Sequence, residues 1–118
     1  MVVDSSEPPF FMGKIVFLKE MSNECLDDNI LPYMKKYNIE LLVYWYRAEP
    51  HSGSGEAIFV VKNSKKFYRH SLYHCLCFGP LDNFDLTAYF SNIHELKQNV
   101  SQQLFSEIIK YFEDDALY

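Results

Sequence analysis

The apolar positions of the chain change period several times, and each change marks a predicted element. Alternating side chains over residues 10–19 predict a first strand. Residues 39–47 are apolar on both sides of a second strand, which indicates a central strand covered by helix. Strands at 56–62 and 67–77 follow a turn at 49–55, so these segments predict an antiparallel meander of three strands. In the central strand we expect Ile39, Leu41, Val43 and Trp45 on one face and Leu42, Tyr44 and Tyr46 on the other.

Two segments have the period of a helix instead. Apolar residues recur every three or four positions before residue 38. Pro32 is best tolerated in a first turn, so we place this helix at 29–37 with Asp28 as its N-cap. Asn92, with Glu95 three residues later, predicts the start of a long C-terminal helix because the pair resembles a capping box. The apolar stripe of that helix consists of Ile93, Leu96, Val100, Leu104, Ile108, Tyr111 and Phe112.

These elements, in a chain of 118 residues, predict a single α+β domain. We expect an antiparallel sheet of about four strands, with the long C-terminal helix and the shorter helix near 29–37 packed on it. Residues 1–9 are small, acidic and proline-ended, which indicates a flexible N-terminal arm before one domain at 10–118. Residues 80–90 carry turn signals and are expected to form a loop.

The net charge of −5 argues against nucleic acid as a partner, because binding to phosphates requires a surplus of Lys and Arg. The basic cluster around Lys65 and Lys66 is expected to flank a hairpin turn. Glu113, Asp114 and Asp115 either attract a basic protein partner or keep the protein in solution. Aromatic residues make up 17% of the chain, and we expect most of them to pack in the core rather than to form a binding surface.

The chain contains no run of about 18–20 apolar residues, so we expect no membrane span. Its first residues do not have the pattern of a signal peptide. We therefore expect an intracellular, cytoplasmic protein. Its three cysteines are expected to be thiols in a reducing cytosol.

The most distinctive stretch runs from residue 52 to residue 80. Gly53 and Gly55 lead into a predicted strand, whereas a loop that cradles phosphate leads into a helix. A nucleotide site is therefore not expected. The two glycines are expected to supply positive φ angles in the turn, a twist or bulge, or the close approach of another backbone.

The end of this stretch carries His74, Cys75 and Cys77. On a regular strand the two cysteines point to one face and the histidine to the other. A structural zinc site needs four converging ligands. The further ligands would have to come from Cys25, His51 or His94. We favour cysteines packed as small apolar side chains, with no cofactor, and keep a zinc site as the alternative.

Cysteine catalysis needs a thiol, a base within hydrogen-bond reach and an orienting group. Cys75 or Cys77 with His74 or His94 and with Asp82 would provide those residue types. Their spacing does not require such an arrangement, and the chain shows no other catalytic motif. We therefore expect that the protein is not an enzyme.

A resemblance to known proteins rests on four segments of the chain, which are 44–46, 52–57, 66–68 and 74–80. Together they resemble a group of small phage and bacterial proteins with the pattern YSGSG-A-F…HCSCYGP. The likeness spans about residues 42–98. Leu76 stands where the pattern has serine, and Phe78 stands where it has tyrosine. The resemblance implies a phage or prophage setting and no particular chemistry.

We predict a small non-enzymatic protein that acts by binding another protein, for example as an inhibitor of a host factor or of a defence system. The first alternative is a metal- or thiol-dependent protein that uses the strand end at 74–77. The second is an immunity protein that binds a toxin. The candidate functional surface consists of Gly53, Gly55, His74, Cys75, Cys77, Glu113, Asp114 and Asp115.

The preferred interpretation and the metal-dependent one predict different metal contents. Protein purified without a histidine tag is expected to carry no stoichiometric zinc, because the sequence offers one close cysteine pair where structural sites use four ligands. Emission spectrometry of the purified chain measures this. One equivalent of zinc, lost in both Cys75→Ser and Cys77→Ser, would support the metal-dependent alternative instead.

Overall fold

The structure is a computed structural model that describes residues 13–62, 64, 66–74, 79–81 and 89–116, with side chains described as far as residue 112. The strands of this part of the chain are β1 (Lys14–Phe17), β2 (Ile39–Glu49), β3 (Ser52–Val61), β4 (Phe67–His74) and β5 (Tyr89–Phe90). Its α-helices are α1 (Asp27–Tyr37), α2 (Ile93–Asn99) and α3 (Gln102–Ala116). A short 3-10 turn at Lys19–Met21 follows β1.

The strands form one sheet in the order β1-β2-β3-β4-β5. The pairs β2–β3, β3–β4 and β4–β5 are antiparallel, which confirms the α+β class and the predicted meander. The first strand differs from the prediction because β1 is parallel to β2, so the sheet is mixed and has five strands. The reason is that α1 returns the chain along the sheet before β2 begins, and such a crossover gives parallel neighbours.

The sheet is the middle layer between two sets of helices. On one face α1 packs over an apolar cluster that includes Ile30, Met34, Leu42, Tyr44, Tyr46 and Phe59. On the other face α2 and α3 pack over a second cluster that includes Leu41, Val43, Ile58, Leu96, Leu104 and Ile108. Strand β2 contributes fully buried side chains to both clusters, which confirms it as the covered central strand.

The face of Ile39 differs from the prediction. The pairing of β2 with β3 changes register between Ile39 and Leu41. This irregularity interrupts the alternation of side chains, so Ile39 joins Leu42 in the cluster under α1, whereas Leu41 faces the other helices. The expectation that placed Ile39 on the face of Leu41 was therefore wrong.

Helix α1 begins earlier than predicted. Its first residue is Asp27 and its N-cap position is Leu26, so Asp28 is a residue of the first turn and not the cap. Pro32 therefore lies inside the helix. Pro32 is exposed, so the backbone carbonyl that loses its N–H partner can bond to water. The helix ends at Asn38, whose φ of 57° is a left-handed conformation that asparagine tolerates.

The predicted C-terminal helix consists of two helices. Asn92 caps the first as expected, because its side-chain oxygen accepts a hydrogen bond from the Glu95 N–H at 3.0 Å. The chain then becomes extended at Val100, with φ −133° and ψ 164°. The Ser101 hydroxyl accepts a hydrogen bond from the Leu104 N–H at 3.3 Å and caps α3. The apolar stripe still packs on one face of the sheet across this break.

The turn between β2 and β3 is shorter than predicted. It consists of residues 50–51, and Gly53 and Gly55 already lie in β3. Neither glycine has a positive φ, so that part of the prediction was wrong. A Cβ atom at position 55 would overlap the carbonyl oxygen of Trp45 and lie 2.8 Å from the Cα atom of Tyr46. The close approach of another backbone, which was also expected, therefore explains Gly55.

Some predicted segments fall elsewhere in the chain. Strand β5 occupies two positions of the predicted loop at 80–90, and a two-residue strand is too short to produce a periodic signal. The predicted N-terminal arm at 1–9 and the predicted strand end at 75–77 lie outside the described residues. Among the described helices, none combines the length and the apolar character needed to cross a membrane.

The fold predicts a specific cost for a side chain at position 55. We expect Gly55→Ala to lower the free energy of unfolding by about 1–3 kcal/mol, because the added Cβ forces β2 away from β3. Urea unfolding measures the change. The matched control is Ser54→Ala at the exposed neighbouring position, which should change the stability by no more than about 0.5 kcal/mol. Equal effects in the two variants would show that the close approach does not constrain the sheet.

Candidate functional site

The ends of β2, β3 and β4 meet at one end of the sheet, which we call the distal end and which comprises residues 46–49, 52–56 and 71–74. Three residues of the predicted functional surface lie there, namely Gly53, Gly55 and His74. The register pairs Gly53 directly with His74. Because side chains alternate along each strand, the distal end presents different residues on its two faces.

On the α1 side, a hydrogen bond joins the Tyr46 hydroxyl to Nδ1 of His74. The two ring centroids are 5.9 Å apart. Tyr46 lies on β2 and His74 on β4, so the bond passes over Gly53 on the strand between them. A Cβ atom at Gly53 would overlap the Tyr46 hydroxyl and lie 2.5 Å from Nδ1. Glycine at this position therefore makes the contact between the outer two strands possible.

The Tyr46 hydroxyl occupies one ring nitrogen of His74. Burial raises the pKa of Tyr46, and the negative charge of Glu24 raises it further. The hydroxyl therefore keeps its proton at neutral pH, and it donates to Nδ1 of His74 or accepts from it according to the tautomer of the ring. A metal ion would then have only Nε2 of this ring as a ligand atom.

The described residues do not assemble the predicted metal site. Within them, no group of three or more His, Cys, Asp or Glu side chains is arranged to hold a metal ion. His51 lies in the turn before β3, and His94 lies on α2 at the opposite face of the sheet from the histidine of β4. Cys25 is an exposed free thiol. Cys75 and Cys77 lie outside the described residues, as does Asp82, so the zinc and thiol alternatives stay predictions.

A second buried tyrosine lies deeper under α1. The Tyr44 hydroxyl accepts a hydrogen bond from the Leu26 N–H, lies 3.0 Å from Oδ1 of Asp27, and lies 3.6 Å from Sγ of Cys25. Burial is the main cause that raises the pKa of Tyr44 far above its usual range, and the hydrogen bonds with Cys25 and Asp27 add to it. The neutral hydroxyl thus attaches the segment before α1 to the central strand.

The opposite face of the distal end is exposed and carries a set of residues that we call the distal patch, consisting of Arg47, Glu49, Ser52, Ser54 and Tyr73. Helices α2 and α3 pack over the apolar part of the same sheet face. Arg47 pairs with Ser54 and Ser54 pairs with Tyr73, so these three residues form a row across the strands. Tyr73 is 49% exposed, which is unusual for a large ring in this structure.

The distal patch surrounds a depression of about 170 Å³. Sites for drug-sized ligands occupy about 300–1,000 Å³, so this depression suits a single side chain better than a small molecule. Two larger depressions of about 420 and 430 Å³ lie beside α3. Among the described residues, those that line these two depressions include no arginine and no tyrosine.

A partly buried ion pair forms the inner border of the distal patch. Nε of Arg69 lies 2.6 Å from Oε2 of Glu56, whose side chain is 10% exposed. The same arginine donates to the hydroxyl of Ser71 at 3.2 Å. A charge-assisted hydrogen bond of this kind compensates part of the cost of burying the carboxylate. The border therefore holds the surface next to the patch in one arrangement.

Sequence analysis selected the glycines and the histidine of this end but missed its other members. The missed residues include Tyr46 and all members of the distal patch, namely Arg47, Glu49, Ser52, Ser54 and Tyr73. The sequence signal for these residues is the alternation of side chains along β2 and β4, because alternation assigns each polar or aromatic residue at a strand end to one face of the sheet. Helix α3 includes Glu113, Asp114 and Asp115, and their side chains are not among those described.

The buried Tyr44 predicts a loss of stability in alkali. Its pKa is raised in the folded state, whereas the unfolded chain ionises tyrosine near pH 10. The stabilising contribution is therefore complete below about pH 10 and is lost above it, with a slope of about 1.4 kcal/mol per pH unit until the folded pKa is reached. Urea unfolding at several pH values measures this slope.

Tyr44→Phe should remove this component of the slope, and Tyr73→Phe at an exposed ring is the matched control. An unchanged alkaline slope in Tyr44→Phe would contradict the assignment.

Three comparisons with known proteins complete the description of the site. No family model, no curated protein and no solved structure matches this chain.

Proposed function

We propose that this protein acts by binding another protein and that the distal patch is the contact surface. The observation that supports this most directly is Tyr73, which is 49% exposed in a row with Arg47 on an uncovered part of the sheet. Tyrosine and arginine are enriched among the residues that dominate protein interfaces. Both side chains are long enough to reach into a partner, while the small Ser54 between them allows close contact.

The construction of the distal end favours such a role. The patch lies on three paired strands, and the Tyr46–His74 hydrogen bond ties the outer two of them from the opposite face. Binding usually costs the ordering of side chains and loops at the interface. A patch on paired strands has a backbone that is already ordered, so less of the interaction energy is lost on association.

The proposed partner follows from the resemblance to small phage and bacterial proteins. We propose a host factor or a component of a defence system, met in the cytoplasm of the host cell. The role is non-enzymatic and requires neither a cofactor nor a membrane. The net charge of −5 disfavours nucleic acid as the partner. An immunity role would differ from this proposal only in that the partner is a toxin.

Exposed tyrosines at two places make a matched test possible. A photo-crosslinking amino acid at position 73 should form a covalent adduct with the partner in host cells, whereas the same residue at position 89 should not. Tyr89 is 46% exposed but lies on β5, outside the distal patch. With the purified partner, we expect Tyr73→Ala to weaken binding at least about 30-fold, as for a central interface residue.

Tyr89→Ala should leave that affinity unchanged. Calorimetry of partner binding distinguishes the two variants. Equal adducts from both positions, or equal affinities of Tyr73→Ala and Tyr89→Ala, would exclude the distal patch as the specific contact.

A further inference from the structure

Two opposite charges lie side by side on the distal patch. Arg47 and Glu49 are exposed on the same face of β2, two residues apart, which is about 7 Å along a strand. Within the described part of the chain, neither side chain forms an ion pair. The patch therefore presents one positive and one negative group, and its formal charge is zero.

This arrangement is self-complementary. A twofold axis that lies between two facing patches, parallel to the sheet and perpendicular to β2 at the level of Ala48, places Arg47 of one copy opposite Glu49 of the other, and the reverse pair forms at the same time. A chain of net charge −5 repels its own copies at most orientations. Approach through a patch of zero formal charge avoids much of this repulsion.

We propose that a second copy of this chain covers the distal patch, as a twofold dimer held by two reciprocal pairs between Arg47 and Glu49. The inference rests on the proposed function in one respect, because both require the patch to bind protein. Tyr73 lies in the same row as Arg47 and would meet the facing sheet at the edge of the contact.

The size of the patch sets the strength of the dimer. A stable interface buries about 800 Å² per partner and uses about 20–30 residues on each side. The five residues of the patch and the ion pair at its border are fewer than this. Self-association is therefore weak, with a dissociation constant of roughly 0.1–1 mM, and a tighter partner can displace the second copy.

Charge exchange within one strand tests the reciprocal pairs. Sedimentation of the full chain from about 10 µM to about 1 mM should show a concentration-dependent dimer. Arg47→Glu and Glu49→Arg should each weaken the dimer at least about tenfold, because like charges then face each other. The double variant Arg47→Glu/Glu49→Arg should restore it, and an equal mixture of the two single variants should also associate.

Lys97→Glu is the matched control, because it reverses one exposed charge on α2, away from the patch. Urea unfolding of each variant shows that the fold is retained. A chain that stays monomeric at about 1 mM, or a double variant that does not restore the dimer, would overturn the inference.

The test also distinguishes this inference from the proposed function. A monomeric chain whose position 73 crosslinks specifically to a different protein retains the proposed function and loses the dimer. A double variant that restores self-association but still fails to bind the other protein shows that the same charges serve both contacts.

Discussion

Burial of β2 on both faces favours hydrogen-bond partners within the fold for the polar groups that the strand carries. Tyr44 and Tyr46 bring hydroxyl groups into that buried strand, and each group has a partner in the segment before α1 or on β4. Beyond the end of β1, the edge of β2 also has hydrogen-bond partners. Its N–H groups at positions 46 and 48 donate to the side-chain oxygens of Ser22 and Asn23. Side chains of one loop thus continue the hydrogen bonding that a longer β1 would have supplied, so the central strand can extend to the distal end.

The sequence contained most of the fold but not its irregularities. The apolar run of β2 and the stripe of α2 and α3 follow directly from side-chain period, because burial selects the same residue types wherever a face is covered. The position of Ile39 and the break at Val100 do not follow from period, since each is a local interruption of it. Ser101 is a residue type that favours an N-cap, but the apolar stripe continues on both sides of it, so the period alone does not predict a new helix there.

The candidate site was predictable only in part for a related reason. Glycines and cysteines attract notice by residue type, which drew attention to Gly53 and to His74 beside the cysteine pair, and the structure places these two residues opposite each other. Their actual relation depends on register, since the pairing of β3 with β4 places Gly53 opposite His74, and the two-residue β2–β3 turn places Gly53 opposite Ala48. The predicted turn at 49–55 placed both glycines outside the strand, so the contact of Tyr46 with His74 could not be inferred.

Because side chains alternate along the distal strands, the residues that hold the strand ends together are distinct from their chain neighbours, which face solvent. Tyr46, Gly53 and His74 point toward α1 and hold the strand ends together, while their chain neighbours Arg47, Ser54 and Tyr73 point to solvent. A substitution on the outer set therefore removes little packing, whereas one on the inner set disturbs a buried hydrogen bond. The outer residues can therefore be substituted without loss of the fold. This separation is why the outer set, rather than the glycines and the histidine that first distinguish the stretch, is the better candidate for the contact with a partner.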